Sequence, residues 1–422
     1  MDKFAVLALI LALVSVMRVK IAHWPITGPM IFVGLGMLLS PDALGVLDIG
    51  LEDEGVALTA EFTLGLLLFS DAARIDTATL RHAFSLPARL LGIGLPLTIA
   101  VGTVLALLFF SDLNWAEAAL LASILAPTDA ALGQAVVSDK RIPVRVRQTL
   151  NVESGLNDGL VVPVVAVFAA LATEGVLDGK MSIVGEAAAE IGIGIGVGAL
   201  LGVLLGQVNP WVHSRKWTDE GGARLVAFSA AIMAFSAAAA LGGNGFISAF
   251  VCGVAVRAFI GRSAADHVEL AENIGQIGAE VTFVVFGATL VLPAISEVTV
   301  PIAIFVILIL TVGRMVPVAI SLLGTGVRSW TVAFFGWFGP RGLASLLFGL
   351  LVLSENEADG GQLFPIVTFT IFCSVVLHGL TAGPGASAYS RWFEKNGRPE
   401  LAEYADMVES PIRWRLNRRP LK

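Results

Sequence analysis

Residues 150–160 read LNVESGLNDGL, and four polar side chains in this run fall at helical spacing. Ser154 and Asp158 are four apart and share one helix face, while Glu153 and Asn157 share the neighbouring face. One helix segment thus offers a carboxylate and a hydroxyl on one side and a second carboxylate on another. Upstream, LAPTDAALG places Thr128 and Asp129 beside Pro127, which opens a helix and frees backbone carbonyls. A hard monovalent cation takes oxygen ligands, and Asp158, Ser154 and the opened backbone at Thr128 would supply them. Asp158 cannot hold a proton and a cation together, so competition for it would trade one for the other. Glu153 is the natural partner for an arginine held within apolar sequence. Two such arginines exist, Arg314 and Arg341, the latter in WFGPRGLAS. Asp129 either contacts the ion or caps the second half of its own broken helix. Asn157 either joins the ion site or serves as an interhelical hydrogen-bonding residue. Asp71, in LLLFSDAARID, either joins the site or lies in the adjoining loop.

The surrounding sequence says what solvent holds these groups. Of 422 residues, 56% are hydrophobic and only 14% charged, well below the charge content of soluble domains. The fold class is therefore an all-α polytopic membrane protein, with the bilayer as a partner and no nucleic acid expected. Thirteen apolar segments run near 4–17, 25–40, 56–73, 87–110, 115–137, 149–173, 182–207, 223–241, 244–260, 274–292, 300–323, 331–353 and 362–388. With the N-terminus outside, 23 of the 27 basic residues fall on inner connections or in the C-terminal tail, as the positive-inside rule demands. The charge pattern thus predicts about 13 transmembrane helices, N-terminus out and C-terminus in the cytoplasm. The stronger charge near the first segment, Arg18 and Lys20, follows it, which favours a retained helix over a cleaved signal peptide.

Pro127 and Pro340 interrupt spans 5 and 12, seven spans apart, so the two broken helices run in opposite directions. Two inverted six-helix repeats joined by one extra helix would place them in equivalent positions. The tail, 390–422, is polar and ends in PIRWRLNRRPLK, suited either to an anionic membrane surface or to a disordered topogenic segment. Cys252 and Cys373 sit within apolar segments as free thiols, and the five histidines show no metal-ligand spacing. No nucleophile stands with a base, so an enzyme is not expected, and no cofactor is implied beyond the transported ions.

These residues resemble those of the monovalent cation:proton antiporters of the sodium/proton exchanger group, NhaP-like in type. The resemblance covers nearly the whole chain and rests on the Thr-Asp of LAPTDAALG, the ESGLNDG stretch and the GPRG break, in order and on matching spans. It implies that Asp158 binds the ion and the proton, with Ser154 as hydroxyl ligand and Thr128 as backbone ligand. Asp129 would face the dipole ends of the broken helices, Glu153 would pair with Arg314, Arg341 would sit at the span 12 break, and Asp71 would complete the site. It also implies a core of spans at 87–173 and 300–388, an interface region at 4–73 and 182–292 within a membrane domain at 1–389, and a homodimer. The activity implied is exchange of Na+, with Li+ or K+ as alternatives, for H+, electroneutral because Asn157 carries no second proton. A sodium-coupled solute symporter or a cation channel is the alternative. Two departures stand out: the proline precedes Thr128 instead of following Asp129, and Ser70 stands where many members carry a glutamate.

Overall fold

Lipid offers no hydrogen-bond partners, so a chain of this composition must satisfy its backbone within helices or a closed barrel. A computed structural model describes residues 3–21, 24, 26–50, 54–74, 85–129, 132–173, 180–261, 264–355 and 360–396, and every regular element among them is helical. In chain order these are α1 (Lys3–Ile21), α2 (Gly28–Leu39), α3 (Glu54–Arg74), α4 (Ser85–Phe109), α5 (Trp115–Ile124), α6 (Gln134–Val137), α7 (Val144–Thr173) and α8 (Lys180–Ser214). There follow α9 (Glu220–Ala240), α10 (Gly245–Ile260), α11 (Ala264–His267), α12 (Glu269–Ser296), α13 (Val300–Ser321), α14 (Ser329–Trp337), α15 (Leu343–Glu355) and α16 (Gly360–Asn396). Among the described residues, 8 helices are long and apolar enough to cross a membrane, and four shorter apolar helices accompany them.

Helices have little hydrophobic reason to associate in lipid, so close backbone approach must hold them. In α8, Gly194, Gly198, Gly202 and Gly206 recur every fourth residue and lie against α10. A methyl group on Gly202 would come within 2.7 Å of the Cys252 carbonyl oxygen, and one on Gly198 would overlap Ser248. α10 in turn meets α3, where Gly253 lies on the backbone at Phe69, and meets α7, where Gly159 lies on the Phe250 ring. Helices α3, α8, α9, α10 and α12 pack on one another, as do α4, α5, α7, α13, α15 and α16, with α7 touching members of both sets.

Two helices are interrupted where the sequence expects it. α5 stops at Ile124 and caps at Leu125, residues 126–129 are non-helical, and α6 begins at Gln134. α14 stops at Trp337, and residues 338–342 are non-helical before α15 begins. The start of α5 is fixed by a reciprocal cap: the Asn114 side chain accepts from the Ala116 and Glu117 amides, and Glu117 accepts from the Asn114 amide.

Some boundaries differ from the sequence reading. α16 continues through Asn396, past residue 390 where the tail was placed, because Tyr389, Trp392 and Phe393 form an aromatic face on its last turns. Tyr389 stacks on Phe334, and Arg328 donates to the Asn396 carbonyl, capping the helix end. α8 likewise runs on to Ser214. The basic run PIRWRLNRRPLK lies outside the described residues.

Candidate ion-binding site

The two breaks cross each other and are joined by backbone and side chain. The Asp129 amide donates to the Pro340 carbonyl at 2.8 Å. The Asp129 carboxylate accepts from the Leu343 amide at 2.9 Å, so it caps the first turn of α15. Arg341 does the reverse: its guanidinium donates to the Ala126 carbonyl at 2.9 Å and to that of Pro127 at 3.4 Å, at the C-terminal end of α5. A carboxylate thus faces a positive helix end and a guanidinium a negative one, each supplied by the opposite broken helix.

Asp129 thus caps the first turn of α15 from across the crossing. Carbonyl oxygens hold the Arg341 guanidinium, because the interrupted helix exposes them where the chains cross. Gly342 makes the crossing possible, since a Cβ there would overlap the Asp129 carboxylate. Gly342→Ala should therefore cost about 1–3 kcal/mol from overpacking, seen as a lower melting temperature in detergent. Gly383→Ala, where nothing lies within 4 Å of the added carbon, is the control and should melt like the parent.

Next to the crossing, α7 contributes its polar faces. The hydroxyls of Thr128 and Ser154 are 3.0 Å apart, and the Asn157 amide donates to the Thr128 hydroxyl at 2.6 Å. All three side chains are buried. Asp158 is half-buried on the Ser154 face of the same helix. Glu153 lies on the other side, held by Arg314 of α13 in a two-pronged pair at 2.6 and 2.8 Å. Both side chains are almost inaccessible, at 2% and 3% exposure, so the charges are matched where water cannot screen them. Gly339 gives Arg314 its room, since a Cβ would come within 2.7 Å of the guanidinium carbon.

Asp71 is buried near the end of α3, which packs on both α7 and α15. Its depth follows from α10: Gly159 meets Phe250, and Phe69 and Ala72 meet Gly253, one helical turn away. Asp71 therefore lies within about a turn of the Asp158 level. Sequence reading missed a half-buried pair just beyond it. Arg74 donates to Glu272 of α12 at 2.6 Å, and Gln276 donates to the same carboxylate at 3.3 Å. The four-residue spacing of Glu272 and Gln276 was the available signal.

The arrangement can bind a small cation among oxygens and hold fixed charges in apolar surroundings. The sodium/hydrogen exchanger transmembrane family matches residues 5–387. The chain is 26% identical over 368 residues to the K(+)/H(+) antiporter NhaP2 of Shewanella oneidensis, covering 83% of this chain and 60% of that protein. It is 25% identical over 389 residues to the K(+)/H(+) antiporter NhaP of Alkalimonas amylolytica, covering 90% and 66%. The chain thus spans 60% to 66% of the length of these curated relatives. The sodium proton antiporter MjNhaP1 of Methanocaldococcus jannaschii has the same fold, with a TM-score of 0.74 at 20% identity over 90% of this chain and 100% of that one. The sequence match over most of its length and the shared fold make this multi-pass membrane chain a member of the sodium/hydrogen exchanger family.

Proposed function

We propose that this protein is a secondary antiporter that exchanges Na+ for H+ across the plasma membrane by alternating access. The observation that carries this reading is the oxygen cluster of Thr128 and Ser154 at the crossing of two broken helices, with Asp158 on the same face of α7. In this reading Asp158 binds the cation and the proton in turn, Ser154 and the backbone at Thr128 complete the cation's shell, and Asp71 approaches from α3. Asn157 and Asp129 hold the crossing in shape. Glu153 is committed to Arg314 and Asn157 is uncharged, so neither adds a proton to the cycle, and exchange is one for one. The shorter helices and the two halves of each broken helix complete thirteen spans in two inverted repeats, N-terminus outside. The helix set around α5, α7, α13, α15 and α16 moves against the set around α3, α8, α10 and α12, which carries the dimer contact. A second reading, K+ for H+, is favoured by the activity named for the Shewanella and Alkalimonas relatives.

The test uses purified full-length protein in liposomes holding a pH dye. A pH gradient is imposed and Na+, Li+ or K+ is added in turn, with and without a potassium–valinomycin clamp. Exchange predicts cation-driven proton movement that ignores membrane potential, and the responding cation identifies the substrate. No proton movement with any cation would sink the antiporter reading. Acceleration by the clamp would overturn only the one-for-one stoichiometry.

A further inference from the structure

The backbone of the α14–α15 break is held from a third direction. On α16, Ser374, His378 and Thr381 are spaced i, i+4, i+7 and therefore share a face. Ser374 Oγ accepts from the Arg341 amide at 2.6 Å, within the break. The Trp337 indole donates to Thr381 Oγ1 at 3.0 Å, just before it. His378 stands between these two points, its ring 5.1 Å from that of Trp337. Its Nδ1 lies 3.1 Å from Ser374 Oγ and 3.0 Å from the Ser374 carbonyl oxygen. Ser374, His378 and Arg341 are all at most 1% exposed, so no water competes for these bonds.

We propose that Ser374 and His378 form a hydrogen-bonded splint that sets the Arg341 peptide, and through it the cation site, making His378 a positioning residue. The Arg341 amide is fixed by Ser374, and its guanidinium holds the carbonyls of Ala126 and Pro127. Those carbonyls immediately precede Thr128, whose hydroxyl meets Ser154 and Asn157. Any turn of Ser374 away from the break therefore reaches Thr128 through one side chain. The Nδ1 edge of His378 prevents that turn in either tautomer. Bare, it accepts the serine hydroxyl; protonated, it donates to serine oxygen. Asparagine places an amide near the position of Nδ1 and can do either. Leucine fills the volume and can do neither.

The inference rests on the exchange reading for its kinetic test and on stability for a second. In proteoliposomes, His378→Leu and Ser374→Ala should each raise the apparent KM for the cation about fivefold, the change expected from one lost buried hydrogen bond, with maximal rate little altered. His378→Asn should stay within about twofold of the parent, and the Ser374→Ala/His378→Leu pair should be no worse than either single change. A parent-like KM in His378→Leu, or an Asn variant no better than Leu, overturns the splint. Melting in detergent decides independently of transport. The splint requires His378→Asn to melt above His378→Leu; the reverse order, expected if His378 only fills space, overturns it. Absence of exchange in the parent counts against the proposed function alone, and the melting order still judges the splint.

Discussion

Asp158→Asn is expected to abolish cation-driven proton movement in proteoliposomes while leaving the protein folded and reconstituted. The substitution keeps the shape of a half-buried side chain on α7 and removes only its charge. A carboxylate about 4 Å from a monovalent cation contributes roughly 4 kcal/mol at the effective dielectric of a partly hydrated site. Losing that weakens cation affinity about a thousandfold, since each 1.4 kcal/mol is tenfold. The hydroxyl of Ser154 cannot compensate, because a neutral dipole supplies no charge to replace that of the carboxylate. The same change removes the group that takes the proton, so both half-reactions of the cycle stop. Asp158→Glu retains the charge but lengthens the side chain, and should retain measurable exchange at a raised KM. The readout is dye-reported proton flux under a cation step, beside detergent melting to establish folding. Full exchange by Asp158→Asn would place the carrier carboxylate elsewhere, with Asp71 as the next residue to substitute.

Much of this site could be read from the sequence, for reasons that differ by residue. Polar residues within an apolar run are conspicuous, so Glu153, Ser154, Asn157 and Asp158 stood out before any fold was known. Pro127 and Pro340 marked the breaks, because proline removes a backbone donor from a helix that has no water to replace it. What the sequence left open was which chain end meets which charge. Asp129 lies 214 residues from the amide it caps, and that contact exists only because two broken helices cross. The same crossing turned Arg341 towards carbonyls. Arg74 and Glu272 escaped notice because each sits at the edge of an apolar run, where a charge reads as solvated. His378 was set aside for lacking metal-ligand spacing, although its helical spacing with Ser374 and Thr381 was visible. The end of α16 was obscured by Arg391, Glu394 and Lys395, which end the apolar run while the aromatic face continues.

The second large effect should come from splitting the Glu153–Arg314 pair. Both side chains are sealed from water and meet through two hydrogen bonds, so neither can find solvent when the other is removed. Truncating one partner of such a pair costs about 3–5 kcal/mol, because an uncompensated charge remains in a low-dielectric interior. Arg314→Leu and Glu153→Leu should therefore each lower the melting temperature strongly and reduce the yield of folded protein. The paired change, Glu153→Leu with Arg314→Leu, removes both charges and their desolvation penalties together. It should melt well above either single variant, since replacing a buried ion pair by apolar groups is often neutral or stabilising. Glu153→Gln separates charge from shape, because it keeps an oxygen for Arg314 to donate to while leaving the guanidinium unneutralised. It should fall between the parent and Glu153→Leu. The measurement is a melting curve for the parent and the four variants in one detergent, followed by exchange assays on those that fold. Additive losses in the double variant would mean that the two residues stabilise the protein separately, and the pair would then not be what fixes α13 against α7. Recovery of stability without recovery of exchange would assign the charges to the transport cycle, where a matched pair lets α7 present Asp158 without pulling the Glu153 charge through the membrane field.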